Sequence, residues 1–121
     1  MNRAVHLFIA LILLAVPFAS MAQGAKEYVF AWSYLRGSST IYVSDGPVEV
    51  NAVDATGGRE QKDRWQRALG QEGVNVANLS ATHVGTPGGI HYESKSDAED
   101  ARRRFIEQER RKGNSVVLVY W

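Results

Sequence analysis

Residues 96–121 read SDAEDARRRFIEQERRKGNSVVLVYW, and no other stretch of the chain carries so firm a structural pattern. Ser96 with Glu99 three residues later is a capping-box pattern, and Gly113 is a stop signal, so a helix is expected over 97–112. Asp97, Glu99 and Asp100 crowd its start, and Arg110, Arg111 and Lys112 crowd its end. Each sign complements the helix dipole. Ala98, Ala101 and Phe105 form an inward stripe whose two alanines allow close approach to a sheet. The run Val116-Val117-Leu118-Val119-Tyr120-Trp121 follows at once. Apolar on both faces, it is predicted as a strand in the middle of a covered sheet.

Upstream, Ile90 and Tyr92 alternate with His91 and Glu93, which predicts a short strand leading out of the loop Gly85-Thr86-Pro87-Gly88-Gly89. Residues 74–84, rich in Val, Asn, Ala and Thr, read as extended. Residues 56–72 have a helical composition with one narrow apolar stripe, Trp65, Ala68 and Leu69, and Gly73 stands where a helix ends. Asp45-Gly46-Pro47 is a turn, separating a strand over 41–43 from a short third strand over 48–53. The first strand, 28–35, places Tyr28, Phe30, Trp32 and Tyr34 on one face and Val29, Ala31, Ser33 and Leu35 on the other. The fold class expected is α+β: a two-layer sandwich whose four- to five-stranded, mainly antiparallel sheet carries two helices on one face.

Ahead of that domain, residues 1–22 read as a signal peptide. Arg3 supplies the positive start, Leu7 to Val16 is an unbroken apolar run, and Ser20-Met21-Ala22 offers small residues for cleavage. A membrane-spanning helix needs about 20 apolar residues, and this run is bounded by His6 and Pro17. The expectation is a single domain over 23–121, periplasmic or secreted, with no stable membrane anchor after cleavage. Of 14 Lys+Arg only Arg3 falls in the leader, which leaves 13 against 13 Asp+Glu. A neutral domain has no global field to attract nucleic acid or an anionic surface. The chain has no cysteine, which excludes a disulfide scaffold, a thiol nucleophile and a Cys-ligated metal site.

Two constellations stand out as candidate sites. The aromatic stripe Tyr28, Phe30, Trp32 and Tyr34 is either core or, if the helices cover the opposite face, an exposed platform for sugar or protein. His83 and His91, eight residues apart across the glycine loop, together with Glu93 supply the three ligands an open metal site requires. The loop itself lacks the following helix and the Lys-Ser or Lys-Thr pair of a phosphate cradle. Arg102-Arg103-Arg104 point in three directions on a helix and are ringed by acids, which reads as a salt-bridged solvated face. No nucleophile elbow is present.

These readings converge on an exported, small, non-enzymatic binding module without a cofactor. A protein partner in the envelope or outside the cell is expected, with the chain acting as inhibitor, immunity or accessory subunit. Three alternatives stand beside it: a peptidoglycan or glycan binder using the aromatic strand face, a metal-assisted hydrolase centred on His83, His91 and Glu93, and an envelope protein that self-associates through an edge strand at Ile41 or Val48.

Overall fold

The computed structural model describes residues 26–51 and 58–121. The leader read over 1–22 lies outside them, as does the link 52–57. Five strands and two helices follow in the order β1 (Lys26–Leu35), β2 (Thr40–Ser44), β3 (Val48–Asn51), α1 (Arg59–Gln71), β4 (Leu79–Gly85), α2 (Lys95–Arg111) and β5 (Ser115–Val119). The class is α+β, with one open, mixed, five-stranded sheet.

β1 organises the sheet. Its residues Trp32, Ser33 and Tyr34 are paired on both edges, antiparallel to Val43, Tyr42 and Ile41 of β2 and to His83, Thr82 and Ala81 of β4. Its first four residues pair antiparallel with β3. β5 adds to β2 in parallel, with Ile41 opposite Val116 and Val43 opposite Leu118. A strand flanked on both edges and apolar on alternate residues must be covered on both faces.

That requirement divides the helices between the faces, where the sequence reading put both on one. Val29 and Ala31 of β1 pack with Trp65, Ala68 and Leu69 of α1, joined by Val50, Leu79, Val119 and Trp121. Phe30 and Trp32 pack with Ala101, Phe105 and Ile106 of α2, together with Ile41 and Val43. Odd and even residues of one strand point to opposite faces, so each helix covers its own side. The narrow stripes on both helices suffice because each has one face of a small sheet to close. Trp65 is fully buried, and its indole N–H donates to Ser33 Oγ at 2.8 Å.

Helix ends explain why α1 and α2 sit where they do. Ser94, not Ser96, caps α2: its side chain accepts from the Asp97 N–H, and the helix begins two residues earlier than the Ser96–Glu99 spacing implies. Both helices stop at a glycine with positive φ, Gly73 (80°) and Gly113 (90°). The next N–H in each case reaches back into the last turn, Val74 to the Leu69 carbonyl and Asn114 to the Glu109 carbonyl, both at 3.0 Å. Only glycine takes that left-handed turn without strain.

Three local expectations are corrected. Residues 76–78 form a 3₁₀ turn before β4, with Asn75 capping it through the Ala77 N–H. Ile90 and Tyr92 form no strand, although the Tyr92 carbonyl accepts from the Tyr28 N–H at 2.9 Å and ties the loop to β1. β5 is not central. Among the described residues its only strand partner is β2, so its outer edge is open.

Candidate binding surface

The open edge of β5 can be resolved to single backbone groups. Ser115 donates its N–H to the Ser39 carbonyl at 2.8 Å, and the Val119 carbonyl accepts from the Asp45 N–H at 2.9 Å. Both residues therefore point their backbone groups toward β2. In a strand the N–H and C=O of successive residues alternate between edges. Val117 joins Ser115 and Val119 on the inner edge, while Val116 and Leu118 turn a donor and an acceptor each outward.

The side chains along this edge are apolar. Val117 is 42% exposed, Leu118 51% and Tyr120 78%. Most edge strands are defended by a charge, a proline or a bulge. None of these lies between Ser115 and Trp121, and the β2–β5 register runs unbroken. Just beyond the strand, Trp121 is held in place: its indole donates to the Gly46 carbonyl at 2.9 Å, its ring meets Trp65 edge-on, and Arg64 donates to its carbonyl. Trp121, just past the strand, is thus anchored to α1 and to the β2–β3 turn.

The aromatic stripe occupies the opposite situation. Phe30 is fully buried and Trp32 nearly so beneath α2, with ring centroids 5.3 Å apart and Phe105 5.2 Å from Trp32. Tyr34 is half-buried, and its hydroxyl donates to Glu109 Oε1 at 3.1 Å. Burial, then the charge of Glu109, raises the Tyr34 pKa above the usual tyrosine value. Tyr28 alone leaves this layer to line a small cavity. The centre of the stripe, Phe30 and Trp32, is core, with Tyr34 packed against it.

The histidines go to separate places. His83 lies on β4 and stacks on Trp32 at 5.1 Å between centroids. His91 shares a 2.8 Å contact from Nδ1 to Glu27 Oε2, a partner 64 residues away that no local spacing points to. Glu93 is exposed. Among the described residues, no three His, Asp or Glu side chains stand close enough to hold a metal ion. The His91–Glu27 pair borders a cavity of about 160 Å³, walled also by Tyr28, Val84, Thr86 and Ile90. The loop above it turns on Gly88 (φ 76°) and Gly89 (φ 69°).

Two charged side chains of α2 depart from the solvated face expected, while Arg103 and Arg104 keep to it. Arg102 is buried, donating to Glu99 through Nε at 3.0 Å and Nη2 at 2.6 Å, and through Nη1 to the Ser44 carbonyl at 3.1 Å. That bidentate hydrogen bond holds the Glu99 carboxyl below the usual glutamate range despite partial burial. Glu109 is buried as well and accepts from Asn114, Lys112 and Tyr34. Burial pushes its pKa up, but those hydrogen bonds and the charge of Lys112 outweigh burial and hold it below the ordinary value. On the exposed side of the helix Glu107 pairs with Arg111 at 3.8 Å and Asp100 with Arg103 at 3.9 Å. Both buried groups have structural partners that account for them.

Comparison with known protein families, with characterised proteins and with solved structures finds no match. No described helix is long and apolar enough to cross a membrane.

Proposed function

We propose that this chain is an exported, non-enzymatic binding module that engages a protein partner by strand addition to the outer edge of β5. The observation that supports the reading is the uncharged edge itself, with backbone groups on Val116 and Leu118 that have no partner among the described residues, beside the exposed side chains of Val117, Leu118 and Tyr120. An extended polypeptide satisfies such an edge through main-chain hydrogen bonds and lays its own side chains against the apolar flanks. A continuous four-ring glycan face is not supported, because Phe30 and Trp32 lie under α2 with Tyr34 packed against them. A metal-assisted hydrolase is not supported either, since His83 and His91 have separate partners.

The test is affinity capture from envelope and culture supernatant with the full chain and with Leu118→Pro as baits. Proline at 118 removes an outward N–H and leaves the β2 ladder intact, a substitution edge strands accept. Capture of a stoichiometric protein by the wild type and its loss with a folded Leu118→Pro supports the reading. Equal capture by both baits contradicts it.

A further inference from the structure

We infer that the strand added to β5 is the β5 of a second copy, running antiparallel about a two-fold axis through Val117. This deepens the reading that the β5 edge is the binding surface and depends on it. The argument begins with hydrogen-bond parity. In an antiparallel pair centred on Val117, residue 116 of one copy stands opposite 118 of the other, and those are the residues whose N–H and C=O face outward. Each copy's Val116 then exchanges both hydrogen bonds with its partner's Leu118. Four main-chain bonds close, and Val117 meets its own copy in the non-bonded position, where strands approach closest. A centre on Val116 or Leu118 also sets outward residues opposite one another, but only the Val117 centre places every Leu118 beside a Val116.

Charge does not oppose this partner. A two-fold axis brings every charge of an edge strand into the same short ladder twice, and charges on edge strands are one way natural sheets discourage pairing with their own copies. Between Ser115 and Trp121 there is no charge to oppose. Side chains agree: Leu118, half-exposed on the α2 side of the sheet, gains Val116 of the second copy as a neighbour, and the two Val117 side chains meet on the α1 side. Such apolar cross-strand pairs stabilise a ladder. One short strand per copy buries less than the roughly 1,200 Å² of a standard interface. The dimer is therefore reversible and its population depends on concentration.

The absence of cysteine in the chain makes the register directly testable. Val117→Cys introduces a single thiol that the two-fold axis sets against itself at disulfide distance. Ser115→Cys introduces one that the same axis holds about 13 Å from its copy along the strand. Sedimentation of the full chain should show the average mass rising toward twice the monomer value over about a hundredfold concentration range. Leu118→Pro and, should that variant fold poorly, Leu118→Lys should hold it at the monomer value. Under mild oxidation Val117→Cys should cross-link to itself far faster than Ser115→Cys. A wild type that stays monomeric throughout overturns the dimer, as does cross-linking at Ser115→Cys equal to that at Val117→Cys. A monomer whose capture of another protein still depends on Leu118 overturns only the dimer and leaves the binding edge. A monomer whose capture is indifferent to Leu118 removes both.

Discussion

β1 and β5 are the two most apolar strands of the sheet, and they end in opposite circumstances. Both carry large apolar residues on both faces, and by pattern alone both belong in the centre of a sheet. β1 is paired on both edges and covered by a helix on each face, so Phe30, Ala31 and Ser33 are fully buried. β5 has a neighbour on one side, and Val117, Leu118 and Tyr120 remain exposed. The contrast teaches that apolar patterning reports how much cover a strand needs, while the supplier of that cover can lie outside the chain. Where the fold leaves such a need unmet, as along β5, apolar side chains stay exposed, and the proposed interface rests on that exposure.

Substitutions should separate the two strands sharply. Phe30→Ala removes a fully buried ring from between Trp32 and Phe105, and a loss of about 3–5 kcal/mol in unfolding free energy is expected, measured by denaturant titration. A loss under about 1 kcal/mol would mean the α2 side of β1 is not the packed core described. Glu109, which accepts from Tyr34 of β1, links that core to pH. Its folded pKa lies below the unfolded value of about 4.3, so its stabilisation is complete above that value and is lost as pH falls through the folded pKa. Melting temperatures followed from neutral pH to about pH 3 should drop less steeply for Glu109→Gln than for the wild type, although the variant starts lower. Parallel curves would show that Glu109 does not carry this dependence.

Smaller effects sharpen the picture around α2, the helix that covers the aromatic face of β1. Ser94→Ala should cost about 1 kcal/mol, the usual value of a side-chain cap, and Ser96→Ala a few tenths at most. The reverse order would restore the capping box read from Ser96 and Glu99. Smallest of all, Leu118→Lys at low protein concentration should change unfolding free energy by no more than about 0.5 kcal/mol, as exposed positions do. The same substitution in β1 could not be tolerated.

What was legible in the sequence was whatever depends on local pattern. The turn at Asp45-Gly46-Pro47, the Trp65–Ala68–Leu69 stripe, the terminating Gly73 and Gly113, and the inward Ala98, Ala101 and Phe105 all follow from spacing within one element. Three features were not legible, because they depend on which strands pair. The alternative in which Tyr28, Phe30, Trp32 and Tyr34 form an exposed platform stayed open because alternation on β1 does not say which face a helix covers. Arg102 and Glu109 read as surface charges because helical neighbours of opposite sign are ordinary on a solvated face. Their burial comes from the Ser44 carbonyl and the Tyr34 hydroxyl, 58 and 75 residues away in sequence. Of the two strands named for self-association, β2 is no edge, since Ile41 is buried between β1 and β5, whereas β3 does end the sheet, with β1 as its only strand partner among the described residues. β5, whose apolar run argues for the centre, also stands at an edge.

Amide hydrogen exchange along β5, read residue by residue at low and at high protein concentration, tests the central claim most directly. In dilute solution the amides of Val117 and Val119 should be protected by β2, while those of Val116 and Leu118 exchange quickly. Raising the concentration should protect Val116 and Leu118 and leave the inner pair unchanged. Protection of Val116 and Leu118 in dilute solution, or their free exchange at every concentration, would contradict a β5 edge that is open in the monomer and closed by its own copy.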